Sequence, residues 1–335
     1  MLVNVGKLMS HTSTKGGVGV KHPFNPSLVD AWFMSGLSNS DKPTQIVGVK
    51  KNKLQLKNFA YALNSGFGKY AVNWNGFAKT TVNANFTNTD SSIHITEILV
   101  AAGKFLQTSA DETVAACKVK VEGITDDIKL RYVSYAEDGT GVYTYLKNGI
   151  NDLPISYKKF TGFAASVVGS CNITITQLPT AYEGALVFDG VDDYGICNNL
   201  PILTDYTVIC RRVIENDTNV VASKNIVAGN GAFIFEYANN ATYSFSEYTS
   251  GLNMNLKDSV SYQTKNSYNG SVITVGTAND TDTLTLGIIR EKDSRLLKGA
   301  IYYFALYDKS LTPEEVEEEK VKLENYWEGG KNELA

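Results

Sequence analysis

Lys118-Val-Lys-Val-Glu122 alternates charge with valine, and the same two-residue period returns in Ile128-Lys-Leu-Arg-Tyr132 and Cys171-Asn-Ile-Thr-Ile-Thr176. Successive side chains of a strand point to opposite faces, so each run sorts its apolar residues to one side and its polar residues to the other. Glu137-Asp-Gly-Thr-Gly141 and Asn148-Gly-Ile-Asn-Asp152 supply turn chemistry between such runs. Residues 78–180 therefore read as a compact antiparallel sandwich with one wet face. Its expected interior holds Val119, Val121, Leu130, Ile173 and Ile175, with Lys118, Lys120 and Thr174 outside.

Strands continue on both sides. Ser27-Leu-Val-Asp-Ala-Trp32 opens a core strand, and Lys53-Leu-Gln-Leu-Lys-Asn-Phe59 alternates with period two. Beyond residue 181 come Leu186–Phe188, Thr207–Cys210, Ala232–Tyr237, Thr242–Phe245, Val272–Val275, Leu284–Leu286 and Ala300–Phe304. These indicate a second, larger sandwich or jelly roll. The expected division is an arm at 1–25, a jelly roll from 26–77 plus 181–311, an inserted sandwich at 78–180, and a helix and tail at 312–335. Residues 26–77 are expected to pair with strands after 181. Thr312-Pro-Glu-Glu315 is a helix start, with an N-cap, a proline at the first helical position and a capping-box glutamate. Val316, Leu323 and Trp327 then fall on one face, and Glu314–Glu319 occupies the solvated side near the positive end of the dipole.

The chain has 335 residues, 43% hydrophobic and 20% charged, with 19 Tyr and 14 Phe. That apolar share excludes disorder for most of its length, and the Tyr, Phe and Gly content excludes a helical bundle. Charge is uneven: eight lysines face only Asp30 and Asp41 within residues 1–58. A lysine-rich end suits an acidic surface, while no basic-aromatic motif of a nucleic-acid module is present. Cys117, Cys171, Cys197 and Cys210 form no C-x-x-C pair and read as single thiols. Residues 1–13 lack the apolar stretch of a signal peptide, and no run reaches the length of a membrane span. A soluble product made in the cytoplasm is expected.

Motifs for chemistry are incomplete. Lys15-Gly-Gly-Val-Gly19 begins like a phosphate loop but continues with Val20 and Lys21, without the Lys and Ser/Thr that the loop requires. Glu291 and Asp293 alternate onto one face as half of a retaining-glucanase acid set, yet position 296 is leucine, and flanking Arg290, Lys292, Arg295 and Lys298 suggest a charged turn. His11, His22 and His94 are scattered, with no metal-ligand spacing. No catalytic residue and no cofactor is assigned. Trp74, between Asn73 and Asn75, is the candidate aromatic platform for a sugar, with a core position as the alternative. Phe188-Asp-Gly-Val-Asp-Asp-Tyr194 reads as a hairpin with Asx chemistry; calcium at Asp189, Asp192 and Asp193 is left open.

Around that last string the chain resembles a family. Ala185-Leu-Val-Phe-Asp-Gly-Val-Asp-Asp-Tyr194 is similar to the opening of a LamG-like, concanavalin A-like jelly roll. Leu286–Arg290, Lys298–Phe304 and Leu306–Val316 resemble its closing strands and trailing helix. Asn25–Trp32 and Asn58–Gly68 are similar to the N-terminal strands of a subgroup from Bacteroides and their crAss-like phages, in which a second β-domain interrupts the jelly roll. The resemblance implies an all-β concanavalin A-like sandwich interrupted by a smaller β-sandwich, with an N-terminal arm and a C-terminal helix. It further implies a non-enzymatic phage virion protein, a head or tail fibre or decoration protein, whose lectin-like domain binds host surface glycans. Leu2, Val3, Val5, Lys7 and Leu8 would then anchor the arm to capsid or tail proteins or to a second copy in a homo-oligomer. Neither nucleic acid nor membrane insertion is expected. A glycan-binding surface module of a Bacteroides-type bacterium and a glycoside hydrolase are the readings left open beside it.

Overall fold

The computed structural model describes residues 23–215, 224–230, 233–239, 242–244, 255–273, 282–289 and 292–331. The fold is all-β, built on antiparallel strand pairings, and among the described residues one α-helix, Pro313–Lys331, follows the strands. The chain forms two compact units. One takes the chain up to Ser38, Lys42–Ala60 and everything from Gly184; the other takes Asn39–Asp41 and Tyr61–Glu183.

The first unit is organised around the strand Lys298–Tyr307. Lys-Gly-Ala-Ile-Tyr-Tyr-Phe-Ala-Leu-Tyr is almost continuously apolar, and all but its first residue are buried, as befits a strand covered on both faces. Thr207–Ile214 pairs along one edge. The other edge is shared: Leu28–Phe33 takes residues 303–307 and Ala181–Asp189 takes 298–301. A second sheet runs Gln45–Val47, Lys53–Lys57, Tyr194–Cys197, Leu284–Leu286, Lys224–Asn230, Ile234–Asn239 and Thr242–Ser244. Its Phe235 meets Phe304 of the first sheet edge-on at 6.4 Å, inside the sandwich.

The helix covers the opposite face of Lys298–Tyr307. Its start is a capping box, in which Thr312 Oγ1 accepts the Glu315 N–H and a Glu315 carboxylate oxygen accepts the Thr312 N–H. Val316, Leu323 and Trp327 are buried, each worth about 1.5–3 kcal/mol of transfer from water. Tyr303 and Tyr307 point at the helix, their hydroxyls donating to Glu324 and Glu319 at 2.8 and 2.9 Å. Within this unit a small hairpin pairs Ile288–Ile289 with Lys292–Leu296.

The second unit is a sandwich of two five-stranded sheets. One runs Gly141–Tyr145, Leu130–Tyr135, Gly162–Ala165, Lys104–Gln107 and Ala78–Lys79; the other runs Gly149–Leu153, Cys117–Glu122, Gly169–Gln177, Ser92–Ile98 and Ala84–Asn88. Val119, Val121, Leu130, Ile173 and Ile175 are fully buried in its core, while Lys118 is exposed and Lys120 and Thr174 are half-buried. Its entry and exit are stitched together. Thr180 N–H donates to Lys69 O at 2.7 Å, and the buried Gln177 side chain accepts the N–H groups of Ala71 and Val72 while donating to Val72 O.

The boundaries differ from those read in the sequence. Residues 61–77, assigned there to the jelly roll, belong to the inserted unit, as do Asn39–Asp41 and residues 181–183. The reason is packing: Val72, Trp74 and Phe77 bury themselves in the second core from a stretch that has no strand period.

Candidate functional site

Gly141–Tyr145 is an edge strand, paired with Leu130–Tyr135 so that Tyr145 lies opposite Arg131, Tyr143 opposite Val133 and Gly141 opposite Tyr135. Leu130 and Tyr132 enter the core, so alternation sends Arg131, Val133 and Tyr135 to the outer face together with Tyr143 and Tyr145. The register continues across the sheet, with Arg131 opposite Ala164 and Ala164 opposite Lys104. One row over four strands therefore reads Tyr145, Arg131, Ala164, Lys104. The neighbouring row reads Tyr143, Val133, Gly162, and the small Ala164 lies between the two cations.

Tyr143 and Tyr145 are 55% and 60% exposed, an unusual outlay of aromatic surface for two positions on one short strand. The Arg131 guanidinium carbon lies 4.8 Å from the Tyr143 ring centroid. Among the described residues Arg131 makes no hydrogen bond and no ion pair, and its Nε is buried without a partner. Ser166 Oγ, in the bend just after the strand Gly162–Ala165, is likewise buried and unpaired. Lys104 Nζ lies 5.1 Å from the Tyr135 centroid and donates to Tyr135 Oη at 2.9 Å and Phe160 O at 2.6 Å; both acceptors are neutral. Phe160, in a left-handed backbone conformation at φ 64°, is 44% exposed beside it. The face thus offers exposed aromatic rings and two cations without a carboxylate.

The residues singled out from the sequence lie elsewhere. Trp74 is no platform: it is 1% exposed, in the core of the second unit and edge-on to Phe163 at 5.5 Å. Asn73 caps the short 3-10 turn Trp74–Gly76 that drives the indole inward. Asp189, Asp192 and Asp193 hold carboxylate oxygens within 4.8 Å of one another, the arrangement a calcium ion would use. Their visible work is turn chemistry, with Asp189 Oδ1 accepting Val191 N–H and Asp193 Oδ2 accepting Asp189 N–H. Glu291, the Lys15–Gly19 loop, His11, His22 and the anchor residues Leu2, Val3, Val5, Lys7 and Leu8 lie outside the described residues; Asp293 lies in the strand Lys292–Leu296. His94 is half-buried with Nδ1 3.3 Å from Thr174 Oγ1. All four cysteines are free, and burial pushes the Cys117 and Cys197 thiols up to about 12.

An open groove of about 680 Å³ in the same unit is lined by Cys117, Leu153, Pro154, Leu178 and Pro179, with Lys118 and Asp152 4.0 Å apart at its side. Its walls are mostly apolar. Sequence reasoning missed Arg131, Tyr143 and Tyr145. The available signal was Gly141-Val-Tyr-Thr-Tyr145, a strand with large aromatics on one face and Val142 and Thr144, not a core stripe, on the other.

No family model matches the chain, and no curated protein matches it. Among solved structures it is similar to Trypanosoma rangeli sialidase in complex with the inhibitor DANA, at 10% identity over 81% of this chain and 67% of that one, TM-score 0.28. It is also similar to the N-terminal CBM22-1-CBM22-2 tandem domain from Paenibacillus barcinonensis Xyn10C, at 10% identity over 76% and 96% of the two chains, TM-score 0.18.

Proposed function

We propose that the protein binds glycan through the outer face of the inserted sandwich, without catalysis, and that it carries this face on a virion. One observation carries the binding reading: Tyr143 and Tyr145 are both more than half exposed on an edge strand whose partner places Arg131 opposite Tyr145 and against the Tyr143 ring. A pyranose has an apolar C–H face that lies on a phenol ring and a hydroxyl rim that needs polar partners, and this face supplies both. The non-enzymatic part is supported by the polar groups described on this face, which are cations and phenol hydroxyls, whereas most glycoside hydrolases work through a pair of carboxyl groups. The virion part rests on the resemblance of Ala185–Tyr194 and the closing strands to the phage subgroup.

Screening the full chain on a glycan array tests the first part. Binding is expected to fall at least tenfold in Tyr143→Ala and Tyr145→Ala with an unchanged melting transition; undiminished binding by both variants overturns this face as the site. Peptide mass spectrometry of density-purified particles tests the second. Recovery of the chain with the particles supports it, and recovery only from host envelopes replaces it with the bacterial surface module.

A further inference from the structure

We infer that the ligand of this face is anionic, a sugar bearing a carboxylate, and that Arg131 is the residue that reads it. The inference rests on the glycan-binding reading and deepens it. Charge is the observation. Arg131 and Lys104 stand in one register row with the buried, small Ala164 between them, and neither has a carboxylate partner among the described residues. Most half-buried guanidinium groups in folded proteins are paired, because removing the charge from water unpaired is costly. Arg131 is instead held against the Tyr143 ring and donates no hydrogen bond. The nearest acidic residues along the strand are spent or distant. Glu137 and Asp138 sit in the hairpin turn at the far end, where Asp138 accepts the Thr140 N–H at 2.8 Å, and neither Asp126 nor Asp127 forms an ion pair with Arg131.

Packing against the Tyr143 ring holds the Arg131 guanidinium in place and leaves its terminal N–H groups for an incoming group. A planar fork matches a carboxylate with two parallel hydrogen bonds, a geometry that a lysine ammonium lacks. Tyr145, opposite Arg131 in the register, is then placed to take the ring that carries the carboxylate. The chemistry therefore selects a pyranose with an acidic substituent over a neutral one.

The experiment is titration calorimetry of the full chain with oligogalacturonate, with the same oligomer fully methyl-esterified, and with dextran sulfate. The expected result is at least tenfold tighter binding of the acid than of the ester, weakening with added salt, with the difference abolished in Arg131→Gln. Arg131→Lys keeps the cation and loses the fork, so it should bind between the two; circular dichroism of both variants establishes that they are folded. Equal binding of acid and ester, unaltered in Arg131→Gln, overturns the anionic inference and leaves the glycan reading standing. Binding of dextran sulfate without oligogalacturonate overturns the carboxylate. Binding of none of the three, together with an empty neutral-glycan array, overturns both readings.

Discussion

Arg211 and Arg212 leave one strand in opposite directions, and each ends on a carboxylate. Arg211 turns toward the helix, between the rings of Tyr302 and Trp327 at 4.7 and 4.4 Å, and pairs with Asp258 and Glu324 at 2.8 and 2.9 Å. Arg212 turns into the sandwich, where it is wholly buried against Glu236 of the facing sheet. Strand alternation alone separates the two roles. The outward pair latches the helix; the inward pair ties sheet to sheet.

The inward pair makes the first prediction. Glu236 is held at φ 52°, a strained conformation for this residue, and also accepts the Tyr268 hydroxyl proton, while Arg212 donates further to Ser259 and Ser261. Removing either partner leaves a buried charge alone. Arg212→Ala and Glu236→Ala should each lose about 3–5 kcal/mol of stability by denaturant unfolding, whereas Arg212→Met with Glu236→Leu should lose much less. Two mild single variants would mean that water reaches the pair.

The outward pair makes the second. Trp327 is buried and its Nε1–H donates to Gly184 O at 2.9 Å. Trp327→Ala should lose about 3–5 kcal/mol, and Trp327→Phe about 1 kcal/mol for the lost hydrogen bond. Limited proteolysis should cut first in the helix in the alanine variant.

Asp30 supplies a pH signature. It is buried and accepts the N–H groups of Ala31, Lys50 and Asn52, each at 2.8 Å. Burial raises its pKa above the ordinary 3.8 despite these bonds. A carboxyl with a raised folded value binds its proton more tightly when folded, so its contribution to stability falls as pH rises from 3.8 through the folded value. The unfolding free energy of the wild type minus that of Asp30→Asn should therefore decline across that window in urea titrations. A difference that grows with pH would contradict the assignment.

Gln177 gives the fourth prediction. Its side chain closes the inserted unit by satisfying three backbone groups of Ala71 and Val72. Gln177→Ala leaves these groups unpaired in a buried position and should cost about 1–3 kcal/mol. Hydrogen exchange at Ala71 and Val72 should accelerate, and Gln177→Glu, which keeps the acceptor for both N–H groups but not the donor to Val72 O, should restore their protection without restoring the full stability.

The legible parts of the fold were those that local period dictates. Val119, Val121, Ile173 and Ile175 announce their face because every second residue is polar, and Thr312 with Glu315 announces the helix because a capping box is local. Trp74 misled because a tryptophan between two asparagines looks wet, yet Asn73 spends its side chain on capping the turn that buries the indole. The division at residue 61 was hidden for the same reason: Val72 and Phe77 reach the core from turns. Nothing in Arg211-Arg212 says which one goes inside, since Glu236 arrives from another sheet. Arg131 and Tyr143 became a site only through their register, which pairs residues of two different strands.

The strand order also dictates a timetable for synthesis. Leu28–Phe33 emerges from the ribosome well before its partner, Lys298–Tyr307, the last of the described strands. The inserted sandwich, almost wholly contiguous from Tyr61 to Glu183, has its strands paired within that span and can close while the rest is still being made. Within the early segment of the outer unit, Gln45–Val47 and Lys53–Lys57 can pair with each other, but Leu28–Phe33 must meanwhile wait for its partner. A translation pause after residue 183 would thus leave a finished inserted sandwich on a nascent chain whose outer unit is not yet built.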